Sequence, residues 1–224
     1  MSVWAVIVAA GRGERLGLDR PKAFANLNDR PLLAESLERL EWSDWVDSIA
    51  VAAPPDWEEP VILLAEELGC GKVRSVVPGG ETRAASVRAG LAEVSEDAAV
   101  TLVHDAARPV LPEDVIERLM TKLNEGWDGV VPGLPVADTV KRLEGDQVVE
   151  TLDRGSLVGA QTPQAFVSST LRDAVAAGED ATDCAALVEA RGGRITVVPG
   201  DRRLLKVTEP ADLETVRHWL TPSA

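Results

Sequence analysis

Closely set glycines, a run of arginines, a few lysines and one aspartate are the residues here whose types and spacing suit chemistry on a phosphate. Gly11, Gly13 and Gly17 are interleaved with Arg12 and Arg15 and followed by Arg20-Pro21-Lys22. Glycine has no Cβ and tolerates positive φ, so such a loop can turn sharply and bring backbone N–H groups against a bulky anion. The arginines and Lys22 supply the charge, and Pro21 limits where the Lys22 ammonium can go. Two familiar glycine loops are excluded. A dinucleotide fingerprint needs its third glycine one residue before Gly17, and no Gly-Lys-Ser/Thr of a P-loop follows. The glycines alone would also suit a plain strand-to-helix turn with solvated arginines; Pro21-Lys22 adds to the case for the anion site.

Three further segments carry similar potential. Pro78-Gly79-Gly80 forms a turn before a helix starting near Glu81 or Thr82, whose free N–H groups and positive dipole end suit an anion. Ser86, one turn in, is placed to reach a base or a phosphate, or is a tolerated polar residue of an ordinary capped helix. The apolar run Ala98 to Val103 leads into HDAARP at 104–109. An acidic residue where a buried strand emerges lies where open α/β sheets build sites. Asp105 is thus suited to a metal carried by polyphosphate or to a ribose hydroxyl, and Arg108 to a second phosphate. The alternative is an Asp105–Arg108 salt bridge that shapes a loop. His104 is read as scaffold. Lys206, between apolar neighbours in Leu204 to Thr208, points to a ligand or lies on a surface edge.

Composition narrows the function classes. The chain has 224 residues, 45% of them hydrophobic, enough for one large domain with a real core. A net charge of −14 argues against nucleic acid or an anionic membrane as partner, so any anion site is a local basic pocket. Lysines number only five: Lys22, Lys72, Lys122, Lys141 and Lys206. Cys70 and Cys184 match no metal or redox spacing and are read as reduced thiols, and two histidines cannot make a histidine-rich metal centre. With no signal-peptide pattern and no apolar stretch of bilayer length, the expected location is cytoplasmic.

The elements that must position these groups alternate. Trp4 to Ala10, Ser48 to Ala53, Lys72 to Val77 and Ala98 to Val103 read as strands, with a short one at Gly129 to Val131. A helix opening at Pro31 with Leu32, Leu33, Leu37 and Leu40 inward, and others at 58–68, from 81 or 82 with Ala85, Val87, Leu91 and Val94 inward, and 111–125, connect them. This order implies an α/β fold, a Rossmann-like, mostly parallel sheet flanked by helices. Residues 136–158 break the pattern: two β-prone runs around Glu144-Gly145-Asp146 read as an inserted β-hairpin arm, best packed on a second copy of the protein. QTPQAF at 161–166 reads as a proline turn into a helix at 168–177. A helix at 182–191, a strand at 194–198, a short strand at 204–208 and a last helix at 209–220 complete the chain.

Taken together, AAGRGERLG with RPKAF, GGETRAASV, HDAARP, PVADTVK, DRGSL, QTPQAF and LKVTEPADL resemble the sugar-phosphate nucleotidyltransferases, and among them the 2-C-methyl-D-erythritol 4-phosphate cytidylyltransferases of the non-mevalonate isoprenoid pathway. The resemblance runs from residue 3 to about 215 and implies one nucleotidyltransferase domain over residues 1–224. It further implies that Gly11, Gly13, Arg15 and Lys22 wrap the CTP triphosphate, and that Ala9, Ala10, Gly80 and Ser86 read the cytosine. Asp105 is then the aspartate near ribose and Mg²⁺. Arg108, Thr139, Arg154, Thr162 and Lys206 hold the polyol phosphate or the reacting phosphates. Arg15, Lys22 and Lys206 are the expected catalytic cations, and the arm is exchanged in a homodimer, so that Thr139 and Arg154 serve the partner's site. The sequence departs from the family pattern at Ala23, Cys184 and Leu204. The end of the chain at Ala224 gives the expectation that no second enzyme is fused to it.

The implied activity is transfer of a cytidylyl group from CTP to methylerythritol phosphate with release of pyrophosphate. Rivals are a ribitol 5-phosphate cytidylyltransferase and a non-catalytic CTP-binding regulator; the retained Arg15, Lys22, Asp105 and Lys206 argue against the regulator. A nicotinamide dehydrogenase is disfavoured by the misplaced third glycine.

Overall fold

A computed structural model describes residues 2–176 and 181–221. The strand Val3–Val8 (β1) lies at the middle of an eight-stranded sheet. Beside it on one side are Ser48–Ala53 (β4) and Val73–Pro78 (β5), and on the other Val100–Asp105 (β6), all parallel to it. The chain therefore leaves β1 in one direction and returns to it from the other, which makes the carboxyl ends of β1 and β6 a topological switch point. Beyond β6 the sheet continues through Gln164–Val167 (β11), antiparallel to both its neighbours, and Gly129–Pro135 (β7), which carries Val158–Ala160 (β10) and Ile195–Pro199 (β12). Two small ribbons stand apart: Asn26–Leu27 (β2) with Arg30–Pro31 (β3), and Lys141–Glu144 (β8) with Gln147–Thr151 (β9).

Helices cover both faces, which explains why the central strands are apolar runs and not alternating ones. Along β1, Ala5 and Ile7 face a core shared with Leu32–Trp42 (α1), Glu58–Glu67 (α2) and Glu113–Leu123 (α4). Val6 faces the other core, built with Arg83–Ala92 (α3), Ser168–Ala176 (α5) and Cys184–Ala190 (α6). Gly90 lets α3 approach closely, since a Cβ there would lie 2.5 Å from Val6 Cγ1. A third, smaller core matters most for the site. Leu16, Ala25, Leu27 and Leu32 pack with Val110, Val207, and Leu213 and Val216 of Pro210–Leu220 (α7), so that the basic loop and the Lys206 segment are held by the same side chains.

Several expectations are corrected. Residues 164–167 are not part of a turn but a central strand; four residues squeezed between Pro163 and a helix carry too little periodicity to read as one. Residues 204–208 form no strand, because their backbone bonds to residues beyond the end of β6, as in Val207 N–H to the Ala107 carbonyl at 2.8 Å. Pro31 ends β3, and α1 begins at Leu32. The strand at 129 runs on to Pro135. In α3 it is Ala84, not Ala85, that is buried with Val87 and Leu91. The expected end of α5 at Ala177 falls outside the described residues. The hairpin appears as β8–β9, exposed along its length.

Candidate active site

The end of β1 continues as Ala9-Ala10-Gly11 and forms one wall of a cavity of about 190 Å³; Gly80 to Arg83 and Ser86 at the start of α3, Asp105 to Ala107 after β6, and Lys22 and Lys206 complete it. The turn behind Ala10 requires glycine. Gly79 N–H donates to the Ala53 carbonyl at 2.8 Å, and a Cβ at Gly79 would meet Ala10 Cβ at 2.4 Å. Ser86 is buried, and its Oγ accepts from Gly80 N–H at 3.1 Å and lies 3.0 Å from the Thr82 carbonyl. Within the protein this hydroxyl shapes the Gly80–Thr82 turn, whose next residue opens the helix.

Lys22 is set by the glycine loop. Its N–H donates to the Gly11 carbonyl at 3.2 Å, and Gly13, at φ +73°, leaves room that a Cβ would close to 2.9 Å from Lys22 Cβ. Burial, and next to it the charge of Lys206, push the Lys22 ammonium down to about 8, with Asp105 partly opposing. Asp105 is the hub of the site. Its Oδ1 accepts from Arg83 Nε at 2.9 Å and its Oδ2 from Lys206 Nζ at 2.8 Å. Burial alone would raise this carboxyl, but the two cations outweigh burial and hold it well below the usual carboxylate range. The expected alternative, an Asp105–Arg108 ion pair, does not form.

A second cavity of about 200 Å³ shares Arg83, Asp105 and Lys206 with the first and is completed by Arg108, Ala160 to Thr162, Gln164, Thr182 and Asp183. Arg108 donates to the Leu204 carbonyl at 2.6 Å. Its Nε, like Nη2 of Arg83, is buried with no hydrogen-bond partner in the protein. Buried donors are nearly always paired, so two orphaned guanidinium nitrogens beside one cavity suit an anionic or hydroxyl-rich occupant. Thr162 Oγ1 accepts from Asp105 N–H at 3.0 Å. His104 is buried, placed between the Arg108 carbonyl at 3.1 Å and Thr162 Oγ1 at 3.4 Å, and burial pushes it down to about 4, so it is neutral scaffold at pH 7.

The two cavities thus gather Ala9, Ala10, Gly11, Gly80, Ser86, Lys22, Asp105, Arg108, Thr162 and Lys206 from the sequence-predicted set. Gly13 supports Lys22 from behind. Arg15 is exposed and lines neither cavity, though its charge lowers the Lys22 pKa. Thr139 and Arg154 lie exposed at the base of the arm, where Arg154 donates to the Ala137 carbonyl, and the structure does not bring them to these cavities. Arg83 went unread. A cation in the first turn of a helix opposes the macrodipole, and that misfit in GGETRAASV was the available signal. Gln161 and Gln164 also went unread.

No group of three or more acidic, histidine or cysteine side chains able to hold a metal occurs among the described residues. Asp105 has one cationic donor on each oxygen and keeps lone pairs on both. That donor set suits a Mg²⁺ arriving with its phosphate and water ligands, not a resident ion in a protein cage.

A crevice at the switch point of a mostly parallel sheet, floored by glycines and ringed by Lys22, Arg83, Arg108 and Lys206, defines a nucleotide-handling α/β protein. The family model for 2-C-methyl-D-erythritol 4-phosphate cytidylyltransferase matches residues 3–221. The chain is 46% identical over 218 residues to the protein of that name from Saccharopolyspora erythraea, covering 95% of this chain and 96% of that one. It is 45% identical over 213 residues to that from Frankia casuarinae, covering 94% and 78%. Among solved structures, the Thermus thermophilus enzyme of the same name superposes with a TM-score of 0.78 at 32% identity over 96% of each chain. A 4-diphosphocytidyl-2C-methyl-D-erythritol synthase superposes at 0.83, with 34% identity over 98% of this chain and 99% of that one. The chain belongs to the 2-C-methyl-D-erythritol 4-phosphate cytidylyltransferase family.

Proposed function

We propose that the protein transfers the cytidylyl group of CTP to 2-C-methyl-D-erythritol 4-phosphate and releases pyrophosphate, a step of isoprenoid precursor biosynthesis. The observation that carries this reading is the Arg83–Asp105–Lys206 cluster, which forms a wall common to two cavities, with Lys22 facing the first. The glycine-floored cavity takes the nucleotide and the second takes the polyol phosphate, so the α-phosphorus and its attacker meet at that wall.

The reaction needs little from the protein beyond placement and charge. The attacking phosphomonoester has a second pKa near 6, so it is largely dianionic at pH 7 and needs no strong base. As its oxygen bonds to the α-phosphorus in line with the departing pyrophosphate, negative charge crowds onto the equatorial oxygens. Lys22 and Lys206 offer ammonium groups there, and Arg83 and Arg108 hold the phosphate that attacks. Asp105 would be the protein ligand of a Mg²⁺ that accompanies CTP, and that ion would supply positive charge to the phosphate oxygens of the departing pyrophosphate. When Lys206 turns to a phosphate, Arg83 remains to balance Asp105. Arg15, on the outer rim of the glycine loop, adds charge toward the β- and γ-phosphates.

The arm supports a homodimer. Leu143, Val148, Val149 and Val158 are large apolar residues left exposed on the arm and its base, in a hairpin too small to be stable alone. A second copy covering them would receive Thr139 and Arg154 at its polyol cavity. No described helix is long and apolar enough to cross a membrane, and a cytoplasmic location is part of the same reading.

The test is pyrophosphate release from CTP and Mg²⁺ with methylerythritol phosphate and ribitol 5-phosphate offered in parallel. Release with the first alone is expected. Release with the second alone would keep the chemistry and replace the substrate, and CTP binding with no release would leave a regulator.

A further inference from the structure

The Lys206 segment lies outside the sheet, so something other than a strand ladder must fix it. Gln161, which directly follows β10, is 6% exposed, and both ends of its amide grip one residue: Nε2 donates to the Asp201 carbonyl at 2.9 Å and Oε1 accepts from Asp201 N–H at 3.0 Å. Its own N–H is tied to the Pro132 carbonyl of β7 at 2.8 Å. The contact is built for this amide. A Cβ at Gly200 would lie 2.2 Å from Gln161 Oε1, so only glycine lets the amide reach the backbone there. From Asp201 the chain turns back, Leu204 N–H donating to the Asp201 carbonyl at 3.1 Å, and places fully buried Leu204 in the core two residues before Lys206.

We infer that Gln161 is a positioning residue for Lys206, clamping the 200–206 segment so that the ammonium lies between the two cavities. This rests on the cytidylyl-transfer reading of the site. One bond from each end of the amide goes to the Asp201 backbone, which fixes the side chain against the 200–206 segment; a direct contact of its remaining N–H with substrate would cost equally with or without Lys206, and action through Lys206 would not. Because β10 leads from the arm straight into Gln161, the same side chain also joins the arm's base to the lysine.

A double-mutant cycle decides it. kcat/KM is measured for the unmodified protein, Gln161→Met, Lys206→Ala and the double variant, with circular dichroism as the folding control. Misplacing a reacting group by about 1 Å costs up to about 100-fold, so Gln161→Met is expected to lose about 10- to 100-fold in the Lys206 background. In the Lys206→Ala background it is expected to lose less than about twofold. Equal losses in both backgrounds would overturn the clamp, since a merely structural role is additive. Should Gln161→Met fail to fold, Gly200→Ala, which displaces the amide from outside the cavities, takes its place in the same cycle. An unmodified protein that binds CTP but releases no pyrophosphate would sink the functional reading itself, and this proposal with it.

Discussion

Lys206 Nζ stands 2.8 Å from Asp105 Oδ2, two residues 101 positions apart in the chain that meet at the shared wall of two cavities. Asp105 arrives on the end of β6 and Lys206 on a segment pinned by Gln161, Arg108 and the third core. Replacing Asp105 by Asn keeps the shape and removes the charge that draws Arg83 and Lys206 together. Turnover should fall by about 10²- to 10³-fold, the usual range for one charged contact at a reacting centre. Steady-state pyrophosphate release measures it.

Arg83 should matter to stability as well as turnover. Its guanidinium is mostly buried and paired with Asp105 at 2.9 Å, and Arg83→Met would leave that carboxylate with the half-exposed Lys206 alone. Breaking a buried ion pair costs about 3–5 kcal/mol, and the residual Lys206 contact should keep the loss toward the lower end. Urea denaturation of the variant checks this, and a midpoint unchanged from the parent would count against it.

The Lys22 ammonium gives a pH dependence. Its pKa of about 8 in the folded protein lies below the ordinary 10.5, so between those values the unfolded chain binds more protons. Its contribution to stability therefore rises with pH from about 8 to 10.5, while its charge for the triphosphate is lost over the same window. kcat/KM for CTP should fall as pH climbs through 8, and Lys22→Arg, charged throughout, should flatten that limb in a pH–rate profile.

The nucleotide floor can be tested apart from the cations. Gly79→Ala puts a methyl group 2.4 Å from Ala10 Cβ and 3.1 Å from the Ala53 carbonyl. Overpacking of this kind costs about 1–3 kcal/mol. Because the displaced atoms line the nucleotide cavity, the expected sign is a raised KM for CTP with the KM for the polyol phosphate little changed.

Much of this was legible in the sequence because local signals and global fold agree. The apolar run before Gly11, the leucines of α1 and the acidic exit of β6 each carry their own periodicity or chemistry. What could not be read is what depends on distant partners. β11 is a strand only because β6 and β7 lie on either side of it, and residues 204–208 lack a ladder because no described strand lies alongside to pair with them. Arg83 takes its role from Asp105, 22 residues away, and Gln161 from Asp201, 40 residues away. Such pairings leave no trace in spacing.

Catalysis by neutralising charge at the α-phosphorus makes Lys22→Ala the decisive variant. With CTP, Mg²⁺ and methylerythritol phosphate at saturation, the variant is expected to fold normally and to turn over about 10²- to 10³-fold more slowly. A folded Lys22→Ala with unchanged turnover would contradict that mechanism.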